Sequence, residues 1–218
     1  MSDNTIHESE TKRSRRAIAT YLRRIARALG RGEPVPVDDN QSVTVTPAAE
    51  PELEVELEDE GENLSLEIEL EWEGDASDVD TEAVASKARF ELYEDAAEQY
   101  RWRLVHRNGN IIADSSEGYA STQKAKQGLE SVRNNAPGAY VDDTSKDDEP
   151  PTEGGSKATF ELFSDNADKW RWRLVHDNGN IIADGGQGYS SKQKAKQGLD
   201  SVRTNVEGAP VEDEKDEE

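Results

Sequence analysis

Cysteine is absent from the 218-residue chain, and no long apolar run occurs in it. The absence of cysteine excludes disulfide bonds, thiol catalysis and cysteine-ligated zinc. A membrane-spanning helix needs about 18 consecutive apolar residues, so we expect no membrane span. Residues 1–4 lack the basic and then apolar opening of a signal peptide, and we therefore expect a cytoplasmic protein.

Basic residues are also scarce, at 26 against 48 acidic residues, and the net charge is −22. Only 33% of the residues are hydrophobic, a balance that often accompanies disorder. Here the apolar residues nevertheless form regular periodic patterns, which indicate folded domains with an acidic surface. Such a surface repels itself in dilute salt and is screened at molar salt, where the Debye length is about 3 Å. The composition therefore favours a protein of an extreme halophile over an ordinary acidic protein.

An internal repeat is the strongest signal in the sequence. Residues 87–139 align without a gap with residues 157–209, and the segment Phe90-Glu91-Leu92 recurs as Phe160-Glu161-Leu162. Such similarity indicates duplication of one structural unit. The predicted division is an N-terminal domain 1–75, a linker 76–86, a first repeat 87–139, an acidic linker 140–156, a second repeat 157–209 and an acidic tail 210–218.

Each repeat has the pattern of three strands followed by a helix. In the first repeat Trp102 and Leu104 alternate with polar residues, as in a strand with one buried face. Asn108-Gly109 favours a type I′ hairpin turn, and Ser121 is a suitable helix N-cap. A unit of about 50 residues is marginal alone and leaves an unpaired strand edge. We therefore expect the two copies to pair about a pseudo-twofold axis, within one chain or between chains as a homodimer.

The N-terminal part predicts a helix and amphipathic strands. An apolar stripe of helical period runs from Ile18 to Leu29, and strands are predicted over 43–45, 53–57 and 64–72. Glutamates fill every second position of the last two strands, which indicates a sheet with one wet and one packed face. A turn is predicted over 59–63, and we expect the helix to cover the apolar face. The predicted fold class is α+β, with an N-terminal helix packed on an antiparallel sheet, followed by two β-β-β-α repeats paired with pseudo-twofold symmetry.

Both repeats resemble the YegP-like family of domains of unknown function, which often occur in tandem. The resemblance rests on the Phe-Glu-Leu start, the aromatic-Arg-Leu strand, the Asn-Gly-Asn-Ile-Ile turn and the Gly-Leu-Glu/Asp-Ser-Val-Arg helix, and it covers about half of the chain. It implies an α+β fold in which two repeats associate, intramolecularly in tandem members and as homodimers in single-repeat members. The acidic linker is longer here than in many tandem members.

The first 75 residues resemble the amphi-Trp domain of halophilic archaea, which is named for a tryptophan in amphipathic strands. Trp72, which closes Leu66-Ile68-Leu70, carries this resemblance. Neither family has an established activity that the resemblance could bring to this chain.

His106 and His176 occupy equivalent positions in the two repeats, so a paired module could bring them together as a metal or proton-transfer site. No Asp, Glu or His cluster at ligand spacing accompanies them. Catalysis would also need a nucleophile or carboxylate beside the imidazole, and the sequence identifies none. We therefore expect each histidine to make a local hydrogen bond at a strand end, and we predict no catalytic residue, metal or cofactor.

Two strands interleave arginine with tryptophan, a combination that can hold phosphates and stack bases. The arginines are Arg101, Arg103, Arg171 and Arg173. Alternation places them on the face opposite the tryptophans, and the aromatic-glycine signature of RNA-binding strands is missing. Buried tryptophans with solvated arginines are therefore the favoured interpretation, and nucleic-acid or anion binding is the alternative.

The predicted N-terminal helix is rich in arginine and carries no acidic residue between positions 11 and 32. Its candidate binding residues are Arg16, Arg23, Arg24 and Arg27. Such a surface could bind nucleic acid, an acidic partner or an anionic membrane surface. The simpler alternative is a solvated helix that balances the glutamate-rich strands of its own domain.

These observations favour a non-enzymatic interaction or adaptor protein adapted to high salt, with an unknown protein partner. Nucleic-acid binding is possible but not favoured, and an enzyme or metal site at the histidines is a weaker alternative.

Overall fold

The computed structural model describes residues 5–59, 61–150 and 153–213. The helices are α1 (Arg15–Leu29), α2 (Thr122–Asn135) and α3 (Lys192–Asn205). The strands are β1 (Val35–Pro36), β2 (Thr44–Val45), β3 (Glu52–Asp59), β4 (Leu64–Glu71), β5 (Val79–Asp80), β6 (Ala88–Glu94), β7 (Tyr100–His106), β8 (Ile111–Asp114), β9 (Tyr140–Asp143), β10 (Ala158–Ser164), β11 (Trp170–His176), β12 (Ile181–Asp184) and β13 (Val211–Asp213).

The two repeats share one eight-stranded sheet, in the order β13-β6-β7-β8-β12-β11-β10-β9. They meet at the centre, where β8 and β12 pair antiparallel with Asp114 opposite Asp184. The strand that follows each helix then pairs in parallel with the first strand of the other repeat, β9 with β10 and β13 with β6. The predicted α+β class and pseudo-twofold pairing are confirmed, and the pairing lies within one chain.

Residues 140–143 and 211–213 differ from the prediction, which assigned them to the acidic linker and the acidic tail. They form the edge strands β9 and β13. Each has a single neighbouring strand, so it lacks the alternating apolar pattern of a strand inside the sheet. The rest of the predicted tail, residues 214–218, lies outside the described residues.

The core lies between one face of the sheet and the helices α2 and α3. Trp102 and Trp172 are fully buried, and each meets a phenylalanine of its own repeat edge to face, at centroid distances of 5.5 Å from Phe90 and 5.4 Å from Phe160. This geometry is favourable for aromatic pairs. The prediction that the tryptophans are internal is confirmed for Trp102 and Trp172, while Trp170 is only partly buried against the same core.

The local signals of each repeat are confirmed except for the turn type. In α2 the Ser121 Oγ accepts a hydrogen bond from the Lys124 amide at 3.3 Å, as an N-cap should. The hairpin turn takes a positive φ only at Gly109, where φ is 83°, and not at Asn108. The predicted type I′ turn is therefore wrong, because both of its central residues need positive φ; the geometry is that of a longer loop closed by one left-handed glycine.

Helix ends fasten each repeat to the other. The Asn135 Oδ1 at the end of α2 accepts from the Lys157 amide at 3.1 Å, just before β10. Equivalently, the Asn205 Oδ1 at the end of α3 accepts from the Lys87 amide at 2.8 Å, just before β6. The helix of one repeat thus fixes the first strand of the other.

Helix α1 packs on β1 of a three-stranded sheet, β1-β2-β5, and on α3 of the second repeat. Its buried residues are Thr20, Arg24 and Ala28, and the Thr20 hydroxyl donates to the Pro137 carbonyl at 2.7 Å. Part of the predicted apolar stripe is instead exposed, since Ile18 keeps 43% of its surface in solvent. The buried stripe of α1 is therefore small and polar, and through it Thr20 and Arg24 donate hydrogen bonds to backbone carbonyls of neighbouring segments.

The hairpin of β3 and β4 stands apart from the helix, so the expectation that α1 covers its apolar face is wrong. Leu57 and Leu66 pair across the hairpin and are 72% and 63% exposed. The other face carries three glutamate pairs directly opposite one another: Glu52 with Glu71, Glu54 with Glu69, and Glu56 with Glu67. Opposed like charges destabilise a strand pair, and salt screens that repulsion.

Replacing Glu67 by lysine tests this repulsion, because the new cation lies directly opposite Glu56. At about 0.1 M KCl we expect amide hydrogen exchange in β3 and β4 to slow by about twofold to fivefold, and at molar salt to change little. Glu58→Lys, opposite Ser65, is the matched control. Equal slowing in both variants, or at both salt concentrations, would contradict the assignment.

Candidate functional site

Helices α2 and α3 cover one face of the eight-stranded sheet, and the opposite face carries a row of charged side chains. Cross-strand pairing places one member of this charged row on every strand. From edge to edge the charged row consists of Glu212, Glu91, Arg103, Asp114, Asp184, Arg173, Glu161 and Asp142. Its order is nearly palindromic, as the pseudo-twofold relation requires.

The arginines of the charged row are already paired with carboxylates. The Arg103 Nε lies 2.5 Å from the Glu91 Oε2, and the Arg173 Nε lies 2.6 Å from the Glu161 Oε2. Both guanidinium groups also lie over aromatic rings, Arg103 over Tyr93 at 5.1 Å and Arg173 over a phenylalanine at 5.3 Å. The sheet therefore holds these arginines in fixed ion pairs, which leaves little free positive charge for a phosphate.

The neighbouring arginines Arg101 and Arg171 are neutralised in the same way. Their Nε atoms lie 2.7 Å from Asp95 and 2.6 Å from Asp165. The hydrogen bond from each arginine, supported by backbone amides, lowers the pKa of its aspartate. All four strand arginines of the sequence prediction thus share one face, and all four are paired there.

Asp114 and Asp184 form a carboxylate pair at the centre of the charged row. Burial, and then the charge of Asp184, raise the pKa of Asp114 to about 6. The two carboxylates are not equivalent, because the Asp184 Oδ1 accepts from the Gly186 amide at 2.8 Å. Gly186 takes a positive φ of 48°, and a side chain there would approach the Asp114 carboxylate.

The two histidines are not brought together. Strands β7 and β11 run in opposite directions with two strands between them, so His106 and His176 lie at opposite ends of the sheet, more than about 20 Å apart by strand geometry. Each Nδ1 accepts from a turn amide two residues on, at 3.4 Å and 3.3 Å. The local hydrogen bond expected from the sequence is present, and a shared histidine site is not.

Arg24, one of the four candidate arginines of α1, is structural. Its side chain is 5% exposed and its Nη1 lies 3.1 Å from the Glu207 Oε2, while Nη2 donates to the Asp38 carbonyl. Burial raises the pKa of Glu207, and the charge of Arg24 opposes that shift. Arg24 therefore ties the N-terminal domain to the end of the second repeat.

The other three candidates of α1, Arg16, Arg23 and Arg27, line a groove of about 460 Å³ against α3. We call it the α1–α3 groove. Opposite α1 it is lined by Val141 of β9 and by Lys196, Leu199, Asp200 and Arg203 of α3. The Arg27 Nη1 donates to the Thr204 hydroxyl at 2.9 Å, and the Arg16 guanidinium lies 5.5 Å from the Tyr140 ring centroid.

Several residues of these surfaces were missed by sequence reasoning. Arg203 has an equivalent in the first repeat, Arg133, so only the packing of α1 on α3 distinguishes the two arginines. Asp114 and Asp184 end short strands, and their meeting depends on how the repeats pair. The exposed side chains of the hairpin are predicted from the sequence to be in a core.

No helix in the described ranges is long and apolar enough to cross a membrane, and no group of three potential metal-ligating side chains occurs among the described residues.

The fold and these surfaces define a tandem-repeat α+β protein in which two repeats exchange their last strands and an N-terminal domain packs on one of them. A domain of unknown function, DUF1508, matches residues 95–143 and 165–213, and the Amphi-Trp domain matches residues 1–92. A UPF0339 protein from the ptx operon 5′ region of Stutzerimonas stutzeri is 32% identical over 122 residues, which are 56% of this chain and 92% of that relative. The chain belongs to this UPF0339 family of YegP-like proteins.

Other relatives cover one repeat or the repeat pair. A UPF0339 protein of Methanosarcina acetivorans is 46% identical over 54 residues, which are 25% of this chain and 91% of that protein. Among solved structures, the protein of unknown function YegP from E. coli is 27% identical, covers 61% of this chain and 97% of its own, and gives a TM-score of 0.47. A protein from Haloferax volcanii is 69% identical in sequence. The match covers 27% of this chain and 97% of the Haloferax protein, with a TM-score of 0.26.

The aspartate pair predicts a pH dependence of stability. A pKa raised above its unfolded value means that the folded state favours the protonated form, so this contribution is complete below about pH 4 and is lost as pH rises through about 6. We expect Asp114→Asn to increase the free energy of unfolding at pH 8 by about 1–2 kcal/mol, after discounting a shift of about two units for solvent screening.

Urea denaturation of both proteins at pH 4 and pH 8 measures this difference. Asp184→Asn removes the charge but keeps an oxygen for the Gly186 amide, and it should lower the pKa of Asp114 in an NMR titration. A stability difference that is equal at both pH values would show that the carboxylate charges are not its cause.

Proposed function

We propose that this chain is a non-enzymatic interaction protein of the cytoplasm of a halophile, and that it makes its contact through the apolar face of the β3–β4 hairpin. The paired repeats supply a rigid platform for that contact. The observation that carries the proposal is the exposure of six large apolar side chains on one hairpin face. They are Leu53, Val55, Leu57, Leu64, Leu66 and Ile68, which are 56–76% exposed.

The hairpin needs a covering surface for two physical reasons. A two-stranded hairpin alone is marginally stable in water, and here opposed glutamates weaken it further. Exposed apolar patches of this kind mark interaction sites, since their burial is favourable by about 25 cal/mol per Å². The acidic reverse face also disfavours an anionic membrane or a nucleic acid as the covering surface.

A second copy of this chain is the occupant to which we commit. When two such hairpins stack with their apolar faces together, the glutamates of both copies point outward, and no carboxylate row faces another. The contact is self-complementary, as a twofold interface requires. Six side chains of this size bury roughly 500–700 Å² per copy, close to the ~800 Å² per partner of a standard interface.

Salt should strengthen this association, because screening removes the repulsion between two acidic chains. Sedimentation equilibrium of the full chain should therefore show a dimer at molar KCl and more monomer at about 0.1 M. Leu57→Glu places a charge in the centre of the face and should give a monomer at both salt concentrations. Glu56→Gln, on the reverse face, is the matched control and should remain dimeric.

A chain that stays monomeric at molar KCl and at concentrations near 0.1 mM would overturn the proposed self-association. A dimer that survives Leu57→Glu would place the interface elsewhere on the molecule. Circular dichroism of each variant checks that the repeats remain folded, so loss of the dimer is distinguished from loss of the fold.

A further inference from the structure

The α1–α3 groove concentrates positive charge on a protein of net charge −22. Five cationic side chains line it, and Asp200 is the one carboxylate among its described lining residues. Arg23 and Lys196 are exposed, and neither side chain has an ion-pair or hydrogen-bond partner within the described part of the chain. These two cations therefore differ from the strand arginines, each of which is held by a carboxylate.

Arg203 lies at the floor of the groove and is constrained by its surroundings. Its side chain is 5% exposed, its Nη1 lies 3.1 Å from Asp200, and its Nη2 donates to the Ala139 carbonyl. The Nε atoms of Arg203 and Arg16 are buried without a hydrogen-bond partner. Burial, and then the charges of Arg16 and Arg23, lower the pKa of Arg203 to about 10. The like charges are thus close enough to destabilise one another, and an anion among them would relieve that repulsion.

The first repeat provides an internal comparison. Lys126 and Arg133 occupy the positions equivalent to Lys196 and Arg203. Arg133 pairs with Glu130 at 2.9 Å just as Arg203 pairs with Asp200, so the difference lies in the lysines, because Lys126 lies 3.8 Å from Asp213. Helix α1 packs on α3, so its arginines add charge to the second repeat only. The basic groove is therefore a product of the N-terminal domain and not a general property of the repeat.

We propose that the α1–α3 groove binds a compact multivalent oxyanion, of the oligophosphate class, between the arginines of α1 and Lys196 of α3. The excess of four positive charges favours a multivalent anion, and a volume of about 460 Å³ is within the range of small-molecule sites. A long nucleic acid would leave the groove and run over an acidic surface, which would repel it. A compact ligand avoids that surface.

Isothermal titration calorimetry of the full chain with sodium tripolyphosphate tests this site. We expect saturable binding at about 0.1 M KCl that weakens as salt increases, because the contacts are ionic. Arg23→Gln and Lys196→Gln should each weaken binding by about tenfold. Both residues are exposed, so the fold should be retained, and Lys126→Gln in the first repeat is the matched control that should leave binding unchanged.

Two results would overturn the proposal. If the chain does not bind tripolyphosphate at low salt while circular dichroism shows that it is folded, the proposed site does not exist. If Lys126→Gln weakens binding as much as Lys196→Gln does, the effect of charge is not specific to the groove. Competition with a single-stranded oligonucleotide distinguishes the ligand classes. If the oligonucleotide binds more tightly than tripolyphosphate and is weakened equally by Arg23→Gln, the ligand of the groove is a nucleic acid and not a compact anion.

Discussion

The antiparallel contact between β8 and β12 is the constraint on which the rest of the structure depends. It joins two three-stranded units, each with an open edge, into one sheet, and it brings Asp114 opposite Asp184. The same contact positions α2 and α3 over a common core that includes Trp102 and Trp172. The carboxylate pair at the junction costs stability at neutral pH, and the shared apolar core together with the exchanged edge strands β9 and β13 holds the two halves together.

The sequence reveals much of the repeat, because its central strands have one buried and one wet face. Trp102 and Leu104 point into the core while Arg101 and Arg103 face solvent, and strict alternation reports this directly. The edge strands β9 and β13 escape prediction because a strand with one neighbour buries little apolar surface. The α1–α3 groove escapes for another reason, since Lys196 and Lys126 have the same local sequence and only tertiary packing separates them.

The N-terminal domain shows where periodicity misleads. Alternation correctly predicts β3 and β4 as amphipathic strands, but an apolar face does not say what covers it. The stripe from Ile18 to Leu29 predicts that α1 covers this face, but α1 instead buries Thr20, Arg24 and Ala28 against other elements. Arg24 in particular is buried in an ion pair with Glu207, a residue more than 180 positions away. A local sequence pattern cannot predict a contact at that separation.

Fusion of the two repeats into one chain has a consequence that a symmetric pair of identical subunits cannot share. Identical subunits must carry the same residue on both sides of their axis, whereas here Ser116 stands where its counterpart is Gly186. Because the two halves can differ in sequence, the Gly186 amide donates a hydrogen bond to Asp184, while the pKa of Asp114 is raised. Duplication within one polypeptide therefore lets one half preserve the architecture while the other acquires a distinct chemical character.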